Sequence, residues 1–337
     1  MALSPETRLR LNTLGWAALV LIFVVGAPIL VSASPLVLGG VVLVGALLGL
    51  LMRFLWLFIR RRLSKAGWGR TALVGALALT GVAAAPIYWL VTQSALNPLS
   101  VPRVTMTDGK RQVVFQGMIH IGSPQFYRSV IYDMARARDA GYVLFYEGVH
   151  TGTPEAEAWM SAAVGTSGDL NGDYSRIAEA CGLSFQGDFL DYMSNDSEVN
   201  PGRSVIADVS VTEMFAEWQR LVAARPELAD QLAAREGTRG TSSGPAAVIG
   251  MVNKLGAGHE EFLAAICRGL FSVALGKKAD QDFLDEVIVD FRNRRLVDRI
   301  LAAPDANIYI VYGAEHLPGL FHEMKSRNPS WTIETAT

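Results

Sequence analysis

The sequence predicts an α/β fold in which three transmembrane helices precede a domain with a mixed or parallel sheet. Three long apolar stretches lie within the first 96 residues, and each is long enough to cross a hydrocarbon core as a helix. In the remainder, a strand–helix–strand pattern begins the domain and a similar pattern ends it. The predicted division is therefore a membrane domain over 1–96 and an α/β domain over 97–337.

The three predicted spans cover residues 11–31, 36–52 and 71–93. The first holds no charged residue, and it is too long for the apolar core of a cleavable signal peptide. The second continues past Arg53 into an aromatic stretch that ends at Ile59. Gly45 and Gly49 suit close packing between helices, and the alternative is that they only relax a lipid-facing helix.

Positive charge flanks the spans unevenly and predicts their orientation in an inner or plasma membrane. Residues 1–96 hold eight Lys and Arg against one acidic residue, whereas 97–337 hold 22 against 31. Arg8 and Arg10 precede the first span, and a basic loop over 60–70 joins the second to the third. The positive-inside rule places these charges in the cytoplasm, so the α/β domain is expected in the periplasm or outside the cell. Its acidic balance gives no reason to expect a nucleic acid as partner.

Strand–helix–strand units are predicted at both ends of the α/β domain. After a connector over 96–110, the first unit has a strand over 111–122, a helix over 123–141 and a strand over 142–148. The last unit has a strand over 307–313, a helix over 317–327 and a strand-like tail over 331–335. The region between them is mostly helical, clearest over 211–224 and 281–303, with a mobile loop or disordered segment over 235–250.

Each unit places a histidine just after its first strand. Gly117 is followed three residues later by His120, and Gly313 is followed by His316 in the same setting. Ligands collect at the carboxyl ends of strands in open α/β sheets, so two adjacent units would aim both imidazoles into one crevice. Imidazole is a common metal ligand, and a catalytic metal needs two or three protein ligands plus a water position. The alternative for either histidine is a hydrogen-bonded structural role.

A carboxylate and a guanidinium are the next candidates for chemistry. Glu147 ends the second strand of the first unit, where it would ligate a metal or act as general base, unless it is a solvent-exposed strand end. Arg295 falls on the apolar face of the helix over 281–303, where a guanidinium is costly without a partner. Pairing with Glu147 or stabilising an oxyanion would explain it, and so would an ion pair with Asp290 or Asp298.

The remaining polar residues carry weaker signals. Asp208 follows apolar residues and is the candidate retained from an acidic segment, while His150 is either a supporting residue of the site or a loop residue. His322 fits an exposed helical surface. Cys181 and Cys267 leave open a disulfide or two buried thiols. The absence of Walker, GxSxG, HExxH and CxxC motifs argues against nucleotide binding, α/β-hydrolase, gluzincin and thioredoxin-like chemistry.

Four motifs in order, GMIH, YEG, FRNRR and YGAEHLPG, resemble those of the TraB/PrgY/GumN family. That family is related to the Tiki-type metalloproteases and, more distantly, to ChaN-like haem-binding proteins and erythromycin esterases. The resemblance covers roughly 105–335. This chain departs from familiar members because its three predicted spans precede the domain, and because it lacks a second clear acidic ligand.

The resemblance implies a function and a set of site residues. His120, Glu147 and His316 would belong to the site, with Arg292 and Asn293 as the matching polar pair. Family members are proposed to hydrolyse peptide bonds with a divalent metal such as Mn or Co. The expectation is therefore a membrane-anchored, metal-dependent peptide hydrolase, with Arg292 or Arg295 stabilising negative charge on the substrate.

Two other functions remain open at the level of sequence. The same crevice would serve a binder that captures a peptide signal or a haem without catalysis. Metal-free ester hydrolysis with His120 as general base is the third possibility. A large, apolar and aromatic pocket favours haem, whereas a small polar cleft favours a hydrolase.

Overall fold

The structure, a computed structural model, describes residues 4–59, 67–96, 100–164, 170–237, 260–275, 282–303 and 305–337. The chain forms two compact units. The first comprises residues 1–99 and 251–277, and the second comprises 100–250 and 278–337. The sequence prediction assigned all of 97–337 to one domain, whereas the structure places the described helix within 251–277 in the first unit.

The helices of the described ranges are α1 (Pro5–Ala33), α2 (Pro35–Ile59), α3 (Trp68–Leu96), α4 (Pro124–Asp139), α5 (Pro154–Val164), α6 (Leu170–Ala180), α7 (Gly187–Val199), α8 (Val211–Ala224), α9 (Glu227–Gly237), α10 (Glu260–Leu275), α11 (Arg292–Leu301) and α12 (His316–Arg327). A π-helix over Glu286–Phe291 leads directly into α11. The strands are β1 (Arg103–Thr107), β2 (Gln112–Met118), β3 (Ile121–Gly122), β4 (Val143–Tyr146), β5 (Ser184–Phe185), β6 (Ser204–Ile206), β7 (Ile308–Gly313) and β8 (Thr332–Ala336).

The first unit is built from α1, α2 and α3, with α10 packed against α3. Helices α1 to α3 are each long and apolar enough to cross a membrane, which confirms the three apolar helices predicted from the sequence. Ser4 caps the start of α1 by accepting a hydrogen bond from the Thr7 amide. Close contact between Gly269 of α10 and the backbone of Leu90 joins α10 to α3.

Glycines let α2 and α3 pack so closely that their backbones are in contact. A Cβ atom added at Gly45 would lie 2.6 Å from the carbonyl oxygen of Gly75, and one added at Gly49 would collide with the carbonyl oxygen of Thr71. Of the two interpretations of these glycines, the structure therefore favours close helix packing.

Replacing Gly49 with alanine is expected to lower the stability of the first unit by about 1–3 kcal/mol, because the new methyl group forces α2 away from α3. Gly40→Ala is the matched control on the same helix, since a Cβ atom there meets nothing within 4 Å. Thermal unfolding of the full chain in detergent micelles compares them. Equal melting temperatures for the two variants would contradict the packing.

A six-stranded mixed sheet organises the second unit, in the order β6-β4-β7-β2-β1-β8. Strands β6, β4, β7 and β2 are mutually parallel, and β1 runs antiparallel to both β2 and β8. The predicted strand–helix–strand crossover is present as β2–α4–β4, with β7 inserted between its two strands. The carboxyl ends of four parallel strands therefore meet at one edge of the sheet.

Buried side chains cover both faces of this sheet. One face packs against α11 and α12 through Leu296, Ile300 and Met324, and the other packs against α4 and α7 through Met134 and Met193. The start of α4 agrees with its sequence signals, because Ser123 accepts a hydrogen bond from the Phe126 amide and Pro124 follows as the first helical residue. 

Strand β1 lies within the stretch that the sequence predicted as a connector, and that prediction was wrong. Val104 and Met106 alternate with more exposed residues and fill the core, as in a half-buried strand. The chain turns at Asp108 and Gly109, where Gly109 has a φ of +86°, and β1 pairs back onto β2 as a hairpin. Of the loop predicted over 235–250, all but the end of α9 lies outside the described residues.

Candidate functional site

A cleft of about 420 Å³ lies at the carboxyl edge of the parallel strands. Pockets of this size fall within the usual range for ligand sites. Its lining comes from the ends of β2, β4, β6 and β7, from the loops after β2 and β4, and from α6, β5 and α7. The lining residues are Met118, His120, Tyr146, Glu147, Gly148, Val149, His150, Asn171, Tyr174, Phe185, Gln186, Phe189, Leu190, Asp191, Ser194, Ile206 and Val311. The predicted candidates His120, Glu147 and His150 thus share one cleft.

A buried ion network underlies Glu147. The guanidinium of Arg292 donates from Nη2 to Glu147 Oε1 at 2.5 Å and to Asp208 Oδ2 at 2.7 Å, and from Nε to Asp208 Oδ1 at 3.0 Å. Asp208 and Arg292 are buried, and Glu147 is mostly buried. Arg292 also lies 5.2 Å from the ring centroid of Tyr312. One guanidinium therefore holds two carboxylates that come from different loops.

Backbone amides donate further hydrogen bonds to both carboxylates. The Gly313 amide donates to Glu147 Oε2 at 2.7 Å, and the Val209 amide donates to Asp208 Oδ1 at 2.8 Å. A Cβ atom at position 313 would lie 3.3 Å from Glu147 Oε2, so glycine leaves room for this carboxylate. Burial raises the pKa of both acids, but the charge and hydrogen bonds of Arg292, together with smaller contributions from neighbouring groups, bring the net pKa of Glu147 and of Asp208 below the ordinary value. Both are therefore ionised at neutral pH.

His316 is buried at the first residue of α12 and is held by Asn293. Its Nδ1 lies 2.9 Å from Asn293 Oδ1, and its ring stands edge-on to Tyr312 with centroids 4.7 Å apart. An amide oxygen only accepts, so Nδ1 carries the proton and Nε2 keeps its lone pair. Burial and the charge of Arg292 lower the pKa of His316 to about 4, which keeps the ring neutral.

This neutral histidine predicts a loss of stability in mild acid. The unfolded chain binds the His316 proton below about pH 6.5, whereas the folded chain binds it only near pH 4. Lowering the pH from 6.5 to 4 therefore lowers the free energy of unfolding, by about 3 kcal/mol over the whole interval. We expect His316→Gln to lose this part of the pH dependence in melts between pH 7 and 4.5, and the exposed His322→Gln to retain it. Identical pH profiles for the two variants would contradict the assignment.

His120 occupies the loop after β2 and is exposed on the cleft. The Gln186 side chain donates from Nε2 to Nδ1 of His120 at 2.7 Å. The Gln186 backbone N–H donates to the His120 carbonyl oxygen at 3.0 Å. Its ring stacks on Tyr174 with centroids 5.0 Å apart. The two histidines are held in opposite tautomers, because Gln186 Nε2 donates to Nδ1 of His120 and leaves the proton on Nε2, whereas Asn293 holds the proton of His316 on Nδ1.

The two motif glycines lie one residue apart in the pairing of β2 with β7, but the two histidines that follow them have different environments. Gly117 lies within β2, opposite Tyr312, and Gly313 is the last residue of β7, opposite Met118. A Cβ atom at Gly117 would lie 3.0 Å from Pro102, so this glycine permits a close approach of the chain. His120 is exposed in a loop, whereas His316 is buried in a helix.

Arg295 does not pair with Glu147, and that interpretation was wrong. Its side chain is half exposed, 3.6 Å from Glu213, and it lies over Phe291. The π-helix over Glu286–Phe291 inserts an extra residue per turn and rotates the following helix relative to a regular α-helical pattern. Arg292 and Asn293, the pair implied by the family resemblance, consequently face the interior instead.

Several site residues were missed or undervalued at the level of sequence. Asp208 is the second anchor of Arg292, although its only signal was the apolar residues before it. Tyr174 and Gln186 come from helical and turn segments without a motif, and they contact His120 through the tertiary fold. Tyr312 precedes a motif glycine but reads as an ordinary strand residue.

The donor atoms partly fit a divalent cation. Nε2 of His316 keeps a lone pair and Glu147 is an ionised oxygen donor, whereas Nε2 of His120 carries a proton and would become a ligand only with the Gln186 amide turned so that Oε1 faces Nδ1. Within the described ranges, no three His, Cys, Asp or Glu side chains converge in an arrangement that could hold a metal ion. The metal therefore stays a prediction.

No protein-family model, curated protein or solved structure matches this chain significantly. The resemblance to the TraB/PrgY/GumN family accordingly stays a prediction that is based on the four motifs.

Proposed function

We propose that this protein is a membrane-anchored hydrolase that cleaves peptide bonds outside the cytoplasm. The observation that carries the proposal is the polar cluster at the carboxyl edge of the sheet, formed by Glu147, Asp208, Arg292, Asn293 and His316. Replacing a buried ion pair with apolar residues is often neutral or stabilising, so such a cluster is a poor device for stability. Buried groups with perturbed pKa values beside a cleft are typical of functional sites.

The charge of the cleft favours a peptide over an anionic substrate. Its lining residues include Glu147 and Asp191, and none of the described lining residues is Lys or Arg. Phosphate and nucleotide sites require cationic groups or a helix start that faces the anion. A cleft lined by the carboxylates of Glu147 and Asp191 and by the imidazoles of His120 and His150 suits a neutral amide or ester as substrate.

The chain's own residues would divide the catalytic work. His120, Glu147 and His316 would hold a divalent ion, Mn or Co in preference to Zn, and such an ion when bound acidifies water and polarises a carbonyl. Asn293 holds the His316 proton on Nδ1, and Gln186 would do the same for His120 once its amide is turned to present Oε1 to Nδ1. Arg292 keeps Glu147 ionised and oriented, and it is a positioning residue because its side chain is buried. We assign no catalytic role to Arg295.

The proposed orientation follows from charge. Arg8 and Arg10 lie in the first two turns of α1, and the basic stretch over 60–70 runs from the end of α2 into the start of α3, which favours a cytoplasmic N-terminus and three crossings. The second unit would then face the periplasm or the exterior, in contact with peptide or protein substrates and tethered to the bilayer through α1 to α3.

The test is cleavage of a mixed peptide library by the full chain in detergent micelles, with Mn²⁺, Co²⁺ or Zn²⁺ added, followed by mass spectrometry. The expected result is metal-stimulated cleavage that Glu147→Gln abolishes. Stoichiometric retention of intact peptide, or of haem as seen by its absorption band, with no cleavage under any condition would overturn hydrolysis in favour of capture.

A further inference from the structure

Three aromatic rings form one wall of the cleft. Tyr174 of α6 stacks between the ring of His120, with centroids 5.0 Å apart, and the ring of Phe185, with centroids 5.9 Å apart. The interplanar angles are 19° and 15°, so the three rings are nearly parallel. This stack joins the candidate catalytic histidine directly to an apolar surface.

The floor of the cleft continues that apolar surface. Met118 and Val311 reach it from the ends of β2 and β7, Ile206 from the end of β6, and Leu190 from α7. Glu147 adjoins this floor, because its backbone amide donates to the Val311 carbonyl oxygen at 2.9 Å and its Oε2 accepts from the amide of Gly313, the residue opposite Met118. The ring stack and these aliphatic side chains together form the apolar part of the cleft, which includes the ring of His120 and adjoins Glu147.

We infer that the apolar part is a subsite for a large apolar or aromatic side chain of the substrate peptide. This inference rests on the proposed function, because it places that side chain beside the bond that His120 and Glu147 would act on. A cavity of about 420 Å³ is near the lower end of ligand-site volumes, which suits a short extended segment. The carboxylates of Glu147 and Asp191 would disfavour an acidic side chain at the same place.

The test measures binding, so that it does not depend on turnover. Dye-labelled pentapeptides Gly-Gly-X-Gly-Gly, with X as Phe, Leu, Ala or Asp, are titrated with the Glu147→Gln full chain in detergent micelles by fluorescence anisotropy. We expect the Phe peptide to bind about ten-fold tighter than the Ala peptide, and the Asp peptide to bind most weakly.

Two cleft variants and one control make the test specific. Leu190→Trp narrows the apolar part, and it is expected to remove the preference for Phe while leaving the Ala peptide unaffected. Tyr174→Ala removes the centre of the ring stack and is expected to reduce the preference about three-fold or more. Tyr132→Ala is the control, because Tyr132 lies exposed on α4. Tyr174→Leu replaces Tyr174→Ala if the latter does not fold.

The outcomes separate this inference from the proposed function. Equal affinities for the Phe and Ala peptides, no measurable binding, or an unchanged preference in both cleft variants would overturn the subsite. Cleavage of library peptides without preference for apolar residues would leave the hydrolase standing and overturn the subsite alone. Selective binding of the Phe peptide without any cleavage by the unmodified protein would support the subsite and overturn hydrolysis.

Discussion

Arg292→Ala is expected to lower the free energy of unfolding of the second unit by about 3–5 kcal/mol, the largest effect on stability that we predict. The loss arises because Glu147 and Asp208 would stay in a buried site without the guanidinium that neutralises them. Arg292→Lys is expected to restore little of the lost stability, since an ammonium group cannot form the two parallel hydrogen bonds that Arg292 donates to Asp208.

The matched control for Arg292→Ala is Arg295→Ala, which lies three residues further along the same helix. Arg295 is half exposed, and its ion pair with Glu213 spans 3.6 Å, so its removal is expected to cost less than about 1 kcal/mol. Chemical denaturation of both variants in detergent micelles provides the comparison. If the two substitutions shift the midpoint equally, Arg292 does not hold a buried network.

Glu147→Gln is expected to reduce kcat/KM on a cleaved peptide by about 100-fold or more, because a neutral amide replaces the ionised ligand of the proposed metal site. Glutamine keeps the size of the side chain and leaves the bonds between Arg292 and Asp208 in place, so the fold should survive. The expectation rests on the proposed function, and it is measured with the full chain and a peptide identified from the library.

Glu323→Gln supplies the control for this loss of activity. Glu323 lies on α12 and pairs with Arg327 at 2.8 Å, in the same helix that begins at His316. We expect wild-type activity from this variant. A Glu147→Gln variant that cleaves as fast as Glu323→Gln would show that Glu147 takes no part in the reaction.

The strand ends were predictable because their signals are local. The apolar runs before Gly117 and Gly313 indicated buried strands, and the carboxyl-edge rule for open sheets then placed His120 and Glu147 in one cleft. The signals for the start of α4 and for its end at Gly141, which has a φ of +88°, are equally local in the sequence. Three long apolar stretches likewise indicated three apolar helices.

The errors have non-local causes. The choice of Arg295 assumed a regular helical period through 281–303, and the π-helix before Arg292 changes which residues face inward. Asp208 lies 84 residues from Arg292 in the chain, so no spacing rule connects them. Gln186 and Tyr174 similarly approach His120 only because α6, β5 and α7 fold over the loop after β2.

The central claim is that His120, Glu147 and His316 serve one metal-dependent site, and metal binding by the full chain tests it most directly. Mn²⁺ and Co²⁺ stoichiometry and affinity are measured in detergent micelles for the unmodified protein, for His120→Ala and His316→Ala, and for the exposed control His322→Ala. We predict one ion per chain, lost in both site variants and retained in the control. A protein that binds no divalent ion, or that binds one equally well without either histidine, would contradict the account.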